Sequence, residues 1–249
     1  MNGLWEAVVK NVVFLLEFLL VIALLFVVAY LFEKAGKKRR GDTERILNTR
    51  TIAMVGMFSA IAAILMVLEI PLPFAPSFYK LDFSELPALI GSFAFGPVAG
   101  VMIEFVKILL KLLFKGTSTA FVGELANFTV GCSFILTASI IYEFRKTKLQ
   151  GIIGCIAGTV VLTLVGTSFN AVYLLPKFAE LFGMPMDVLI GMGTAVNPKI
   201  TNVTNFVILA VAPLNLIKGT SVSLITMLIY KKLSPILKYS RAQRQGQGQ

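Results

Sequence analysis

The chain contains no histidine, two cysteines and only 13 acidic residues among 249. The missing histidine excludes imidazole metal sites and the imidazole general base. Cys132 and Cys155 both fall inside apolar runs, where small buried packing residues are the expected role rather than a disulfide or a ligand pair. There is no G-x-x-x-x-G-K-[ST] phosphate loop, so ATP hydrolysis by that route is excluded, and no H-E-x-x-H, G-x-S-x-G or Cys/His cluster. Acidic residues do not line the apolar runs in the manner of a proton relay. Catalysis therefore has almost no support, and a membrane enzyme is the weakest of the readings.

What the chain has in quantity is apolar sequence. Hydrophobic residues make up 57 % and charged residues 14 %, and the mean hydropathy is +0.84. A soluble domain of this length does not carry such a composition, so the expectation is an all-α, polytopic membrane protein. The net charge of +10 raises nucleic acid as a partner. The basic residues, however, sit in short loops and tails beside apolar runs, which topology explains more simply; no nucleic acid is expected.

The first apolar run, Asn11 to Phe32, is interrupted only by Glu17. It is long for a signal peptide, lacks a small-residue cleavage site, and its basic flank follows it (Lys34, Lys37, Lys38, Arg39, Arg40). That order predicts an uncleaved anchor with its N-terminus outside. Residues 1–49 are then an anchor plus basic cytoplasmic linker, 50–235 a helical core, and 236–249 a basic, disordered cytoplasmic tail. Within the core, spans are predicted over Arg50–Glu69, Leu86–Phe114, Phe121–Phe144, Gly151–Leu175 and Lys199–Tyr230. The second of these is split into two helices at Gly96-Pro97, because proline removes a donor and restricts its predecessor. The last exceeds a ~30 Å hydrocarbon core and must tilt, bend near Pro213 or project. The count is one anchor plus six helices. Segments 33–50, 145–148 and 231–249 carry seven, three and five Lys/Arg, fifteen of the chain's 23, all on one side of this topology.

Lys218 is the only charged residue between Ile200 and Tyr230. An ionisable group in such a run costs about 2.5–3.5 kcal/mol on insertion scales and usually faces a bundle interior or a cavity with a partner. Asn215, three residues earlier, shares its helical face. Asn127 and Glu124 share a face of another span, and Asn170 lies near the outer end of a third. Amides present donor and acceptor together, which suits a neutral ligand with alternating N–H and C=O groups. The alternative stays open that the asparagines bridge helices and that Lys218 pairs with a carboxylate such as Glu124 or Glu104. The loop Phe78–Pro87 also reads two ways. Ser84, Asp82 and Glu85 suit a helix start, while Phe78, Tyr79 and Phe83 suit closure over an aromatic ligand. Gly56-xxx-Ala60 and Ser59-xxx-Ala63 line small residues along one helix face, for packing or for a partner.

Four segments, in order, resemble one family: Pro71-Leu-Pro-Phe-Ala-Pro-Ser-Phe-Tyr-Lys-Leu-Asp-Phe-Ser-Glu-Leu-Pro through Gly96-Pro97-Val-Ala-Gly100; Gly123-Glu-Leu-Ala-Asn127-Phe; Phe169-Asn170-Ala-Val-Tyr-Leu-Leu-Pro176; and Pro213-Leu-Asn215-Leu-Ile-Lys218-Gly219. They resemble the riboflavin-binding S components of energy-coupling factor (ECF) transporters, over residues 50–235. The resemblance implies a six-helix vitamin-binding subunit with an outward pocket beneath the first outer loop. It implies ligand contacts at Asn215, Lys218 and Asn170, with Asn127, Glu124, Tyr79, Leu81, Asp82 and Phe83 around them. It also implies partners, a transmembrane T component and two ATP-binding subunits, with docking through Gly56, Ala60 and Ala63. Riboflavin is the implied ligand, bound and transported rather than held as a cofactor. Flavin mononucleotide, another vitamin, or a self-sufficient secondary transporter are the competing readings. The N-terminal anchor is additional to the family's core.

Overall fold

The structure is a computed structural model and describes residues 12–117, 119 and 121–245. The start of the predicted anchor and the last four residues lie outside the described residues. The fold is all-α apart from one minimal hairpin. Five of the described helical runs are long and apolar enough to cross a membrane.

α1 (Val12–Arg40) is followed by the basic linker and α2 (Thr49–Val67). Asn48 caps α2, its Oδ1 accepting the Thr51 N–H at 2.9 Å. The first outer loop pairs β1 (Ile70–Pro71) with β2 (Lys80–Leu81) in antiparallel register, Ile70 opposite Leu81. α3 (Glu85–Phe95) and α4 (Pro97–Lys115) meet at Gly96, where the sequence places the break. Gly96 has φ 109°, a conformation other residues avoid, and Pro97 opens α4 where its missing N–H costs nothing. α5 (Val122–Glu143) and α6 (Lys148–Phe169) pack along each other, and α6 continues through a π-helical turn (Asn170–Leu174) into α7 (Leu175–Phe182).

The outer segment 176–199, which joins the last two predicted spans, is largely helical. α7 carries on past Pro176, and α8 (Met186–Val196) starts behind Pro185 with Asp187 in its first turn. The last run is α9 (Val203–Phe206), a second π turn (Val207–Val211) and α10 (Ala212–Gln245). α10 runs on through Gln245, so the tail expected to be disordered from 236 is helical over its described part. Near Pro213, one of the places where the long last span could adapt, the structure has a π turn just before the proline. A proline's ring crowds the carbonyl four residues earlier; for Pro213 that is Leu209 and for Pro176 it is Val172, each inside a π turn. The widened turn makes the room.

α4 is built inside out. Glu104, Lys107 and Lys111, spaced three and four residues apart, are buried, while Leu113 and Phe114 are among the most exposed side chains in the chain. That inversion is what a lipid surroundings favours. α1 lies against α4 and α5, with Phe18 on Phe128 (ring centroids 5.9 Å) and Phe26 on Phe105 (6.2 Å). Its basic end is keyed as well. Glu33 is fully buried and its Oε2 accepts the Val98 N–H at 2.9 Å, capping α4 from outside. Only glycine at 96 admits that carboxylate, since a Cβ there would overlap it. Arg40 pairs with Glu143 of α5, which also takes Lys146 at 3.1 Å. Nearby, Phe93, Tyr142 and Tyr230 cluster, with the two tyrosine hydroxyls 3.1 Å apart.

Candidate ligand-binding cavity

At the opposite end from the Glu33 key, between the hairpin loop and α5, α6 and α10, lies a cavity of about 190 Å³. Its walls are mostly apolar (Val130, Leu162, Leu174, Leu175, Val211, Leu214), and its polar groups converge from four elements. Tyr79, Asp82, Asn127, Asn170, Asn215 and Lys218 all line it. Leu81, Phe83 and Glu124 do not. Leu81 is buried in β2 and Phe83 packs on the apolar core beside α3. The Glu124 carboxylate is taken by Lys111 and by the hydroxyls of Thr117 and Thr119, both at 3.1 Å, so it fixes the turn before α5.

Lys218 has carboxylate partners, as an isolated intramembrane lysine requires, but they are neither Glu124 nor Glu104. Its Nζ donates to Asp82 Oδ2 at 3.0 Å and stands 2.8 Å from Glu85 Oε2. Glu85 Oε1 in turn accepts from Lys107 Nζ at 3.2 Å, which also donates to Ser84 Oγ at 2.8 Å and lies 2.7 Å from Glu104 Oε2. The helix-start reading of the loop holds in part. Ser84 and Glu85 do begin α3, but Ser84 makes no side-chain cap bond and serves the ion cluster instead. The whole cluster is buried. Burial works against the charge on Asp82, yet Lys218, Lys107 and the Ser84 bonds outweigh it and hold the carboxyl below its ordinary range.

Asn170 opens the first π turn. Its Nδ2 donates to the Gly166 carbonyl at 2.7 Å, which can only accept, so its Oδ1 faces Tyr79 and accepts that hydroxyl at 2.5 Å. Burial raises the Tyr79 pKa, keeping the phenol a donor. Gly166 has a second role. A Cβ there would overlap the Asn215 amide, so α6 and α10 approach closely only because position 166 is bare. Asn127 Oδ1 is buried without a hydrogen-bond partner among the described residues, a costly state unless something else donates to it. Above, Phe78 stacks on Phe178 (5.7 Å) and Phe206 (6.4 Å), and Tyr79 lies 6.0 Å from Phe206. Phe78 and Tyr79 thus form an aromatic layer with α7 and α9, and Phe83, expected beside them, packs on the apolar core instead.

On α2, Gly56 and Ala60 face outward, and nothing lies within 4 Å of a Cβ built at Gly56. Ala63 is at the edge of that face, on the side of Ser59 and Ala62, and is buried with them.

An amide-lined cavity with a buried ion cluster in its wall, under an aromatic layer and inside a bundle of apolar helices, is the geometry of a membrane-protein site for a small polar-edged ligand. Comparison with known proteins identifies the class. Residues 50–230 match the family model described as the ECF transporter, substrate-specific component. A riboflavin transporter RibU of Staphylococcus aureus is 38 % identical over 191 residues, covering 77 % of this chain and 93 % of that one. A riboflavin transporter FmnP of Bacillus subtilis is 29 % identical over 197 residues, covering 79 % and 98 %. A solved structure of the S component of a bacterial ECF transporter superposes with a TM-score of 0.59 at 36 % identity, covering 76 % of this chain and 98 % of that one. The chain belongs to the family of substrate-specific components of ECF transporters. It is a membrane transport component and not an enzyme.

Proposed function

We propose that this chain binds riboflavin in the cavity beneath the 70–84 loop and delivers it inward as the S component of a vitamin uptake transporter. The observation that carries the reading is the convergence of Asn127, Asn215 and Lys218 on one apolar, aromatic-capped cavity. Such a lining pairs the carbonyl and imide edge of an isoalloxazine ring while its flat body meets aliphatic and aromatic walls. The names of the relatives agree with that ligand. On this reading α2 to α6 and α10 form the six-helix core and α1 is an added seventh helix. The chain sits in the cell membrane with its N-terminus outside and its C-terminus cytoplasmic. A T component and two ATP-binding subunits supply the energy coupling, docking on the open α2 face at Gly56 and Ala60.

The test is the absorbance spectrum of the purified, detergent-solubilised chain followed by flavin titration. A flavin band near one per chain, or tight saturable quenching of added riboflavin, is expected. A folded, colourless chain that quenches no flavin would confine the family match to the scaffold.

A further inference from the structure

We propose that α8 is a membrane-surface anchor, lying along the lipid–water boundary at the hairpin end of the bundle with its free apolar face on phospholipid. α8 has 11 residues, about 16 Å at 1.5 Å per residue, and is too short to cross a bilayer. Its side chains fall in three sectors around the axis. Leu189 and Gly193 turn inward and are buried. A Cβ on Gly193 would meet the Phe206 ring at 2.7 Å and Ile200 at 2.9 Å, so this sector is held hard against the protein. Val188, Met192 and Val196 recur every fourth residue beside it, yet stand 46 %, 39 % and 38 % exposed. Ala195 is exposed in the same stripe, and Asp187 and Thr194 are exposed along a third, polar edge.

The depth of the stripe points to what covers it. Tyr230 precedes the basic tail and marks the far surface of the bilayer. From Tyr230 back to Phe206 the last run rises about 35 Å, against a hydrocarbon core of about 30 Å with headgroup layers beyond it. Phe206, and the α8 sector packed on it, therefore stand at headgroup level. Ile208, just deeper in the same run, is 53 % exposed, so that run already faces lipid there. A protein partner fits the stripe poorly. Four side chains on one short helix fall far below the about 20–30 residues a side of a stable interface. A helix with an apolar stripe and a polar edge seats instead at the boundary of headgroups and acyl chains. There the bilayer supports, from outside, the helix that backs Phe206.

The experiment reconstitutes the full chain in phosphatidylcholine nanodiscs with bimane on a single introduced cysteine, Val188→Cys, Met192→Cys or Asp187→Cys. Asp187 and Val188 are adjacent in the chain, hence at nearly equal depth, and about 100° apart around the helix. Wild type taken through the same reaction sets the background from buried Cys132 and Cys155. Aqueous iodide is expected to quench at Val188→Cys and Met192→Cys about threefold less steeply than at Asp187→Cys. Lipids spin-labelled near the carboxyl end of the acyl chain are expected to quench the two stripe positions strongly. Iodide quenching as steep at both stripe positions as at Asp187→Cys overturns the proposal. So does protection of both from iodide and from spin-labelled lipid alike, which would mean that protein covers the stripe. Each variant is read with its melting transition intact, and either stripe position is sufficient to decide.

Discussion

The two ends of this bundle both bury charge, and they use it differently. At the α1 end, Glu33 closes on the Val98 N–H and Arg40 on Glu143, with backbone and helices packed around them. At the hairpin end, Lys218, Asp82 and Glu85 line a cavity together with the Asn127 amide. The first arrangement fixes the register of one helix on its neighbours, the best-attested use of a buried polar group. The second leaves hydrogen-bonding capacity for something that is not protein. Burial is common to both, so it does not by itself mark a binding site; the neighbouring space does.

Substitutions that break this contrast follow in order of effect. Lys107→Met removes the only cation from between Glu85 and Glu104 and is expected to cost about 3–5 kcal/mol. Its melting temperature in detergent should drop steeply, and a variant as stable as wild type would mean the cluster is not ionised as drawn.

Lys218→Ala is expected to weaken riboflavin binding about tenfold or more. Unlike a simple ligand contact, it should also lower stability, since it strands Asp82 and leaves Glu85 to Lys107 alone. Asn215→Ala should weaken binding comparably with little loss of stability, and isothermal titration beside thermal melts separates the two. Loss of binding with identical melts for both variants would remove the structural part of the Lys218 role.

Glu33→Ala is expected to cost about 0.5–2 kcal/mol, the range for losing a helix cap, and to leave flavin affinity as it was. A shift in affinity would show the two ends to be coupled. Gly56→Leu or Ala60→Leu should leave binding by the isolated chain intact and impair uptake in the assembled transporter; vesicle transport at wild-type rate would clear that face of docking.

The smallest effect concerns pH. Asp82 is held below its ordinary value of 3.8, so its contribution is complete above that value and is lost only as pH falls through the lowered pKa. Stability attributable to this pair should be level from about pH 7 to pH 5. A melting curve that sags inside that window would assign the titration elsewhere.

Much of this was open to a reader of the sequence. Lys218 stands out because nothing charged surrounds it in the chain, and the Gly96-Pro97 break follows from backbone sterics alone. Its partners were less accessible. Glu85 carries a complete local explanation as a helix-start charge, which hides its longer-range role. The spacing of Glu104, Lys107 and Lys111 did announce a charged face on an apolar helix, and could have pointed to a buried cluster. Which carboxylate meets which lysine depends on interhelical packing that no spacing encodes. Glu33 sits at the edge of a basic linker and reads as solvated; only the bare backbone of Gly96 opposite reveals it as a cap. α8 went unseen because eleven residues with two glycines give a weak helical signal.

The two π turns set the phase of everything beyond them. Each holds one residue more than an α-turn needs, which offsets the following helix by about 100°. α7 carries Phe178 under Phe78 only in that offset. A single-residue deletion between 170 and 174 would keep every charge and shorten its span by one residue only, and would still swing Phe178 about a quarter-turn away from Phe78. For this protein the alignment gap, more than the substitution, is the change that redraws a binding site.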